Sequence, residues 1–151
     1  MPNIKVKFVE YNSEFLDLSW KWLNDPEIKK MTMTPDFTKA EQLDFFEKLP
    51  FRDNYKIWGV QCGDEKIGVI GLKNISDFDM EYFGYIGVKK YWGKGISKQI
   101  FKFISQQENK IIYLFASRSN KIACNAYFKN GFIINEKKSN DKMLCMELKI
   151  E

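Results

Sequence analysis

The apolar run IIYLFA, residues 111–116, is the feature that most restricts how this chain can fold. The run is too short to span a membrane, and it has no polar face, as expected of a strand that is buried on both sides. Such a strand needs packing partners above and below its sheet. The run therefore predicts an α/β fold in which helices cover both faces of a sheet.

Amphipathic helices are predicted on either side of this run. Ile and Phe recur at helical spacing from position 95 to about 108. A second helix is predicted over 120–131, where the final glycine can adopt the left-handed conformation that ends many helices. The segment 80–88 predicts a strand that leads directly into the first helix. This half of the chain therefore alternates strand, helix, strand and helix.

Two further helices and five further strands are predicted from the rest of the chain. One helix ends at the NDP segment, residues 24–26, and the next begins after Thr38, which has capping-box spacing with Glu41. The predicted element order is β-α-α-β-β-β-α-β-α-β-β, a mixed sheet in a single domain over residues 1–151. The additional strands are 3–9, the two arms of a hairpin that turns at 63–65, 132–138 and 142–150.

Missing residue types exclude several kinds of catalysis. The 151-residue chain contains no histidine, so neither a Ser-His nor a Cys-His catalytic pair is possible. Cys62, Cys124 and Cys145 are widely separated and lack the CxxC spacing that is typical of metal sites. We therefore expect no metal ion, and we interpret Cys124 as a small buried hydrophobe and not as a nucleophile.

The charge pattern argues against a nucleic-acid partner. The formal net charge is only +4, and Lys and Glu are mostly interspersed along the chain. Modest positive charge is better suited to an anionic small-molecule ligand. No apolar run is long enough for a membrane span, and the N-terminus lacks the apolar core of a signal peptide. We therefore expect a cytoplasmic protein without a membrane partner.

Two glycines, Gly93 and Gly95, lie one residue apart in the stretch KKYWGKGISKQI, where a strand gives way to a helix. Because glycine has no Cβ, the backbone can approach a ligand closely here. The amides of residues 93–97 precede any intrahelical acceptor, so together with Lys94 they can bind a phosphate or pyrophosphate. The glycines alone do not distinguish this site from an ordinary strand-to-helix turn with solvated lysines.

Two common nucleotide-binding motifs do not fit this stretch. The dinucleotide-binding pattern GxGxxG would need a glycine where Lys98 stands. The P-loop pattern needs a four-residue gap between its first glycine and Gly-Lys-Ser/Thr, and residues 93–97 lack that spacing. Neither of these nucleotide-binding families is therefore indicated.

The stretch KKYWGKGI resembles the acetyl-coenzyme-A-binding motif Q/R-x-x-G-x-G/A of the GCN5-related N-acetyltransferases (GNAT), with Lys90 in the Q/R position. The predicted element order also parallels the fold of that family over essentially the whole chain. The resemblance implies an acetyl-CoA-dependent N-acetyltransferase with a splayed central sheet. A second segment, NKIACNAYFKNGF, is similar to the family pattern N-x-x-A-x-x-x-Y-x-x-x-G-F through Asn120, Ala123, Tyr127, Gly131 and Phe132.

The resemblance implies two contact regions for acetyl-CoA. The strand that ends at Val88 would separate from the strand at 111–117, commonly through a bulge, to admit the pantetheine arm. Ile86 and Val88 would pair their backbone with that arm, with Gly87 between them, and an amide near Val88 would polarise the acyl carbonyl. Asn120 would bond to pantetheine or to nearby backbone. The pyrophosphate would sit on the amides of Gly93, Lys94, Gly95, Ile96 and Ser97.

Tyr127 is the general acid that the resemblance implies. When an amine attacks the thioester, the departing thiolate needs a proton, which a phenol can supply. Outside the matched motif, an aromatic residue at this helical position would be interpreted as core. Glu81, Tyr82 and a chain of water are the candidates for accepting the proton of the amine, and a one-residue slip of their strand would exchange the faces of the two side chains.

The resemblance implies a small-molecule amine as acceptor. The segment WKWLNDPEIKKMT resembles the W-x-N-D-P segment of the GNAT branch that includes ribosomal-protein, spermidine and nucleotide-amino-sugar N-acetyltransferases. The short chain, its second helix and the hairpin after it are most similar to the enzymes of nucleotide-linked amino sugars. A peptide N-terminus, a polyamine and a non-catalytic acyl-CoA-binding module are the alternatives. We expect a monomer, or a homodimer formed through the last hairpin.

Overall fold

The computed structural model describes residues 4–108 and 110–149, and their strands form one seven-stranded sheet in the order β1-β2-β3-β4-β5-β7-β6. The strands are β1 Lys7–Glu10, β2 Lys56–Cys62, β3 Glu65–Lys73, β4 Asp79–Ile86, β5 Ile111–Ser117, β6 Ile133–Ile134 and β7 Met143–Leu148. The helices are α1 Ser13–Asn24, α2 Pro26–Thr32, α3 Lys39–Lys48, α4 Ile96–Ser105 and α5 Lys121–Lys129. The predicted mixed sheet is confirmed: β4 and β5 are parallel, while the neighbouring pairs on either side are antiparallel.

Successive residues of the central strands pack into two cores on opposite faces of the sheet. Leu72 of β3 is fully buried in the core that includes Ile104 of α4. Val69 of the same strand lies in the other core, with Phe15 of α1 and Ile28 of α2. Side chains alternate between the faces of a strand, so one strand can supply both cores. Helices therefore cover both faces of β3. The run 111–116 was predicted to be buried on both faces, but β5 has only Ile112, Leu114 and Ala116 buried, in the core with α4, while Phe115 on its other face is 39% exposed. The prediction is wrong for that face of β5.

β4 and β5 are paired over three residues only, from Asp79 opposite Ile111 to Glu81 opposite Tyr113. Beyond Glu81 the two strands diverge, because β4 stays with β3 while β5 stays with β7. The predicted splayed sheet is therefore confirmed. The pairing of β4 with β3 is continuous from Lys73 to Gly68. Directly beyond it, the amides of Gly87 and Val88 both donate to the Ile67 carbonyl, so two residues oppose one, which is the pattern of the expected bulge.

The NDP segment begins a helix as well as ending one, which corrects the predicted element order. The Asp25 carboxylate accepts hydrogen bonds from the amides of Glu27 and Ile28, and Pro26 occupies the first turn of α2. Proline fits there because the first amides of a helix have no intrahelical acceptor. α2 is therefore a separate short helix, anchored by the buried side chain of Ile28.

Three other predicted elements are longer than the observed ones. β1 begins at Lys7, since the backbone at Ile4 and Val6 is bonded to the side-chain amide of Gln99 on α4, and residues 1–3 lie outside the described chain. β6 is limited to 133–134 because Asn135 caps a following 3-10 turn. α4 ends at Ser105, where tighter bonds replace the helical pattern. In the described part of the chain, no helix has the length and apolar content needed to cross a bilayer.

Gly59 of β2 allows a close approach between the sheet and α1. A Cβ built at this position would lie 2.2 Å from the ring of Phe15, which is itself fully buried. We expect Gly59→Ala to lower the free energy of unfolding by about 1–3 kcal/mol, because the ring has no space to retreat into. Urea denaturation measures the change.

The matched control repeats Gly59→Ala in a Phe15→Leu background, where the smaller side chain leaves room for the new methyl group. The effect of the substitution on the unfolded chain is the same in both backgrounds, so the difference between the two costs isolates the contact. Equal costs in both backgrounds would contradict the packing explanation.

Candidate active site

The turn between β4 and α4 presents its backbone to solvent. Gly93 and Gly95 have φ angles of 72° and 77°, in the left-handed region that favours glycine, and a Cβ at either position would meet no atom within 4 Å. Gly95 is the N-cap of α4 and provides no side-chain acceptor. Among the described residues, no backbone or side-chain acceptor is bonded to the amides of residues 93–97. The turn therefore has the free amides and the helix start that an anion needs.

Lys90, in the Q/R position of the motif, contacts residues of this protein. Its ammonium lies 3.4 Å from the Glu65 carboxylate, which also accepts a 2.5 Å hydrogen bond from the Tyr91 hydroxyl. The bond from Tyr91, and then Lys90, hold the pKa of Glu65 below its usual range. The residue in the Q/R position of the motif therefore fastens the turn to β3. Lys94 and Lys98 are exposed beside the free amides.

The same turn is attached to the junction of α1 and α2. Lys89 lies 2.8 Å from the Asp25 carboxylate and 3.1 Å from that of Glu27. The Trp92 indole N–H donates a 2.8 Å hydrogen bond to the Ile86 carbonyl. The ion pairs of Lys89 join residues far apart in the sequence, and the motif contains no signal for them.

The end of β4 has one backbone edge directed at β3 and the other at the gap. The amides of Gly87 and Val88 both donate to the Ile67 carbonyl, at 2.7 and 3.3 Å. In an antiparallel ladder alternate residues point their N–H and C=O groups to opposite sides, so Gly84 and Ile86 direct theirs towards the gap that β5 leaves. Of the predicted contact residues, Ile86 therefore offers its amide to a ligand in the gap, whereas Val88 has its amide bonded within the sheet.

A cavity of about 530 Å³ opens beside this gap. Its walls come from α1, the segment 31–37, α3, the central strands and α5. The lining side chains are mostly uncharged, and several of them were not identified from the sequence because no local pattern marks them. The uncharged ones include Tyr11, Ser19, Thr32, Thr34, Phe37, Gln42, Phe45, Tyr55, Phe83, Tyr85 and Phe115.

Tyr127 reaches this cavity from α5. Its ring is half-buried and packs edge-on against Phe101, with ring centroids 5.9 Å apart, and against Phe132 at 5.8 Å. Burial raises the pKa of Tyr127 to about 12, so the hydroxyl is protonated throughout the neutral range. The ring therefore packs on the core, and the residue also lines the cavity. The role of general acid stays a prediction.

Glu81 and Tyr82 lie on opposite faces of β4. Tyr82 is buried against Phe101, with ring centroids 4.9 Å apart, and burial raises its pKa well above the usual value. The Glu81 side chain is 16% exposed, lines the cavity and lies 3.7 Å from the Lys73 ammonium. Of the two candidates for proton acceptor, Glu81 is therefore the one with the more accessible side chain.

Asn120 and Cys124 have structural partners within α5. The Asn120 side chain is the N-cap of that helix and accepts a 3.2 Å hydrogen bond from the amide of Ala123. Cys124 is buried, as predicted, and its thiol donates to the Ser117 carbonyl at 3.6 Å. No group of His, Cys, Asp and Glu suited to a metal ion occurs within residues 4–108 and 110–149.

The free amides of residues 93–97 follow β4, and the cavity lies beside the gap between β4 and β5. This arrangement suits a long acyl donor with a pyrophosphate at one end. The glycines at 93 and 95 leave open the space that a Cβ would fill, and the free amides beside them match the charge of such a donor. These features define an acyl-CoA-dependent transferase.

The chain belongs to the Acetyltransferase (GNAT) domain family, whose model matches residues 8–133. Membership confirms the acetyltransferase class, and with it the acetyl-CoA co-substrate, that the two sequence motifs implied.

Relatives of known name support this assignment. Two Campylobacter jejuni proteins, both named Acetyltransferase PseH, are 28% and 30% identical to this chain over 95% of its length and 94% of theirs. The structure of C. jejuni N-acetyltransferase PseH in complex with acetyl coenzyme A matches with a TM-score of 0.72 and 25% identity, covering 98% of this chain and 99% of that one. A spermidine N-acetyltransferase from Vibrio cholerae has a TM-score of 0.82 at 16% identity over 95% of this chain and 94% of that one, which shows a common fold alone.

Gly95→Asp tests the anion-binding turn. The new carboxylate would stand beside the free amides, and its Cβ would strain a backbone with φ of 77°. We expect the dissociation constant of coenzyme A, measured by calorimetric titration, to rise by at least about tenfold because like charges repel.

Gly63→Asp is the matched control, since Gly63 also has a positive φ, 58°, with open space around its Cβ, but lies in the hairpin between β2 and β3. We expect this variant to bind coenzyme A like the unmodified protein. Equal losses of affinity in both variants would contradict a specific anion site at residues 93–97.

Proposed function

We propose that this protein transfers the acetyl group of acetyl-CoA to the primary amine of a nucleotide-linked amino sugar, by direct attack of the amine on the thioester. The observation that carries the proposal is the cavity of about 530 Å³ beside the gap between β4 and β5, with a tyrosine and a carboxylate in its wall. A cavity of this volume is large enough for a small-molecule acceptor.

Co-substrate binding follows from the backbone on either side of the gap. The amides of Gly93, Lys94, Gly95, Ile96 and Ser97 hold the pyrophosphate, supported by their lack of other acceptors among the described residues. Ile86 pairs with the pantetheine arm, and Gly87 and Val88 hold that end of β4 on β3. Asn120 contributes through its side-chain amide group while its oxygen caps α5.

Tyr127 assists the departure of the thiol. The new C–N bond forms as the C–S bond breaks, and one proton must pass from nitrogen to sulfur overall. Because the pKa of Tyr127 is about 12, above the value of about 8.5 for an ordinary thiol, the phenol is a hydrogen-bond donor to sulfur first and a proton source second. The proton that leaves the amine replaces the one that the phenol gives up.

Glu81 accepts the proton of the amine, directly or through water. Its carboxylate lines the cavity on the face opposite Tyr82, which the α4 side of the core buries. The thioester supplies the activated acetyl group. Glu81 then takes a proton from the nitrogen, and Tyr127 gives a proton to the sulfur.

The chemistry of the cavity supports a sugar more than a polyamine. Its two carboxylates are both engaged: Glu41 accepts from the Thr38 amide in a capping box, and Glu81 lies beside Lys73. A cationic polyamine needs free carboxylates, whereas hydroxyl groups and aromatic faces suit a sugar ring. Besides Tyr82 and Tyr127, six hydroxyl-bearing residues line the cavity: Tyr11, Ser19, Thr32, Thr34, Tyr55 and Tyr85.

The setting of the activity is part of the same proposal. We regard residues 1–151 as one N-acetyltransferase domain that acts in the cytoplasm, where acetyl-CoA is available. It acts as a monomer or as a homodimer. The edge strand β6, with Ile133 60% exposed, supports the second possibility.

Tyr127→Phe removes the phenolic hydroxyl and keeps the ring that packs on Phe101 and Phe132. We expect kcat to fall by about 10²-fold, as for the loss of a general acid, with little change in the affinity for acetyl-CoA. Release of free thiol during turnover measures the rate, and calorimetry measures the affinity. An unchanged kcat would remove Tyr127 from the mechanism.

An acceptor panel tests the acceptor class. Nucleotide-linked amino sugars, polyamines and peptide N-termini are offered side by side with acetyl-CoA, and we expect the highest kcat/KM for an amino sugar. A polyamine or a peptide that reacts fastest would overturn the acceptor assignment. Acetyl-CoA binding without turnover on any amine would instead indicate a non-catalytic acyl-CoA-binding module.

A further inference from the structure

The two oxygens of the Glu81 carboxylate are held by consecutive residues at the end of β3. Lys73 directs its ammonium to Oε2 at 3.7 Å, and Asn74 donates a side-chain hydrogen bond to Oε1 at 3.0 Å. Lys73 is directly opposite Glu81 in the antiparallel pairing of β3 and β4. A carboxylate with both oxygens engaged has a defined orientation relative to the cavity.

Asn74 reaches Glu81 through an unusual backbone conformation. Its φ is 51°, one of two positive values among the non-glycine residues described here, the other being Met33. An extended residue after Lys73 would place its side chain on the opposite face of the sheet. The left-handed conformation allows residue 74 to join Lys73 beside the same carboxylate, and asparagine tolerates that conformation better than most residues.

Glu81 also marks the position where β4 and β5 part. It lies opposite Tyr113 in the last parallel pair, so its side chain stands at the closed end of the gap and in the cavity wall. A carboxylate at this position lies between the sheet and the cavity. To accept a proton from the acceptor amine, it must be oriented towards the cavity. Sites that need such precision often contain residues in rare backbone conformations.

We propose that Asn74 is a positioning residue for acetyl transfer, whose amide keeps the Glu81 carboxylate directed at the cavity. The proposal rests on the role of Glu81 as proton acceptor given above. Asn74 itself touches neither the acceptor nor acetyl-CoA. It acts through Glu81, together with Lys73.

The groups around Glu81 come from several elements. Lys73 faces it from β3, Tyr113 from β5 and Cys145 from β7. The Lys138 ammonium lies 5.3 Å from the centroid of the Tyr113 ring and 4.0 Å from the Asp79 carboxylate. Burial first, and then the charge of Glu81, raise the pKa of Tyr113. Lys73 and Asn74 are the side chains that contact the Glu81 carboxylate oxygens, one by charge and the other by a hydrogen bond.

Asn74→Asp is the sharpest test, since aspartate has nearly the same size and also tolerates the left-handed conformation. It replaces a donor with a second negative charge beside Glu81. We expect the acid limb of the pH profile of kcat/KM to move to higher pH by about one unit. On the acid side of the profile kcat/KM would then be about tenfold lower at any given pH, while the plateau at higher pH would be unchanged. The best acceptor of the panel is used for all variants, so that the titration of the amine cancels.

Asn140→Asp is the matched control. Asn140 accepts hydrogen bonds from the amides of Lys142 and Met143 in the turn before β7, and aspartate can accept the same bonds. The variant adds the same charge away from the cavity. We expect its pH profile to coincide with that of the unmodified protein.

Asn74→Gly removes the amide and permits the positive φ. We expect kcat to fall by about five- to tenfold, with the KM of acetyl-CoA unchanged, because a hydrogen bond to a charged group is lost. The melting temperature of each variant identifies any loss of folded protein. A merely structural role for Asn74 would lower the melting temperature and leave the acid limb in place.

Glu81→Gln separates this proposal from the proposed function. If Glu81→Gln abolishes turnover and Asn74→Asp leaves the acid limb unmoved, the positioning role is wrong and the function of Glu81 stands. If Glu81→Gln retains full turnover, the proton acceptor is misassigned, and the positioning role of Asn74 is wrong with it. In that case the loss of turnover in Tyr127→Phe still tests the acetyltransferase mechanism independently.

Discussion

The parallel pairing of β4 with β5 stops after Glu81, and the geometry of the active site depends on that position. Each strand continues with its other neighbour, β4 with β3 and β5 with β7, so the divergence leaves every other ladder intact. Backbone groups of β4 beyond Glu81 are then left without a strand partner on one side. In a protein interior such groups need hydrogen bonds, so the gap favours a ligand with amides along its length.

The divergence also explains how residues from opposite faces of the sheet meet in one cavity. Tyr127 belongs to the α4 and α5 side, where its ring packs on Phe101, whereas Glu81 belongs to the α1 to α3 side. A continuous sheet would separate them by the full thickness of its backbone. Because the strands part, a phenol on one face and a carboxylate on the other can line the same space.

The sequence predicted those helices, strands and caps that neighbouring residues determine. It did not predict features that depend on contacts between residues far apart in the chain. The capping box at Thr38, the left-handed glycine at 131 and the strand at 111–117 each follow from neighbouring residues. α2 was missed because the NDP segment satisfies the rules for both a helix end and a helix start. The side chains of the cavity lie on elements from α1 to α5, and their convergence follows from packing that no local pattern encodes.

The segment WLNDP, residues 22–26, joins α1 and α2 to the end of β4 and the glycine turn. Trp22 lies flat on Gly87, where a Cβ would be 2.2 Å from its ring, and Asp25 of the same segment binds Lys89 at 2.8 Å. The ion pair is half-exposed and is screened by water, so the packing of Trp22 on the backbone is the stronger restraint. Any shift of α1 and α2 that reshapes the cavity must therefore also move the end of β4, which leads into the glycine turn. The cavity and the glycine turn are consequently parts of one packed unit.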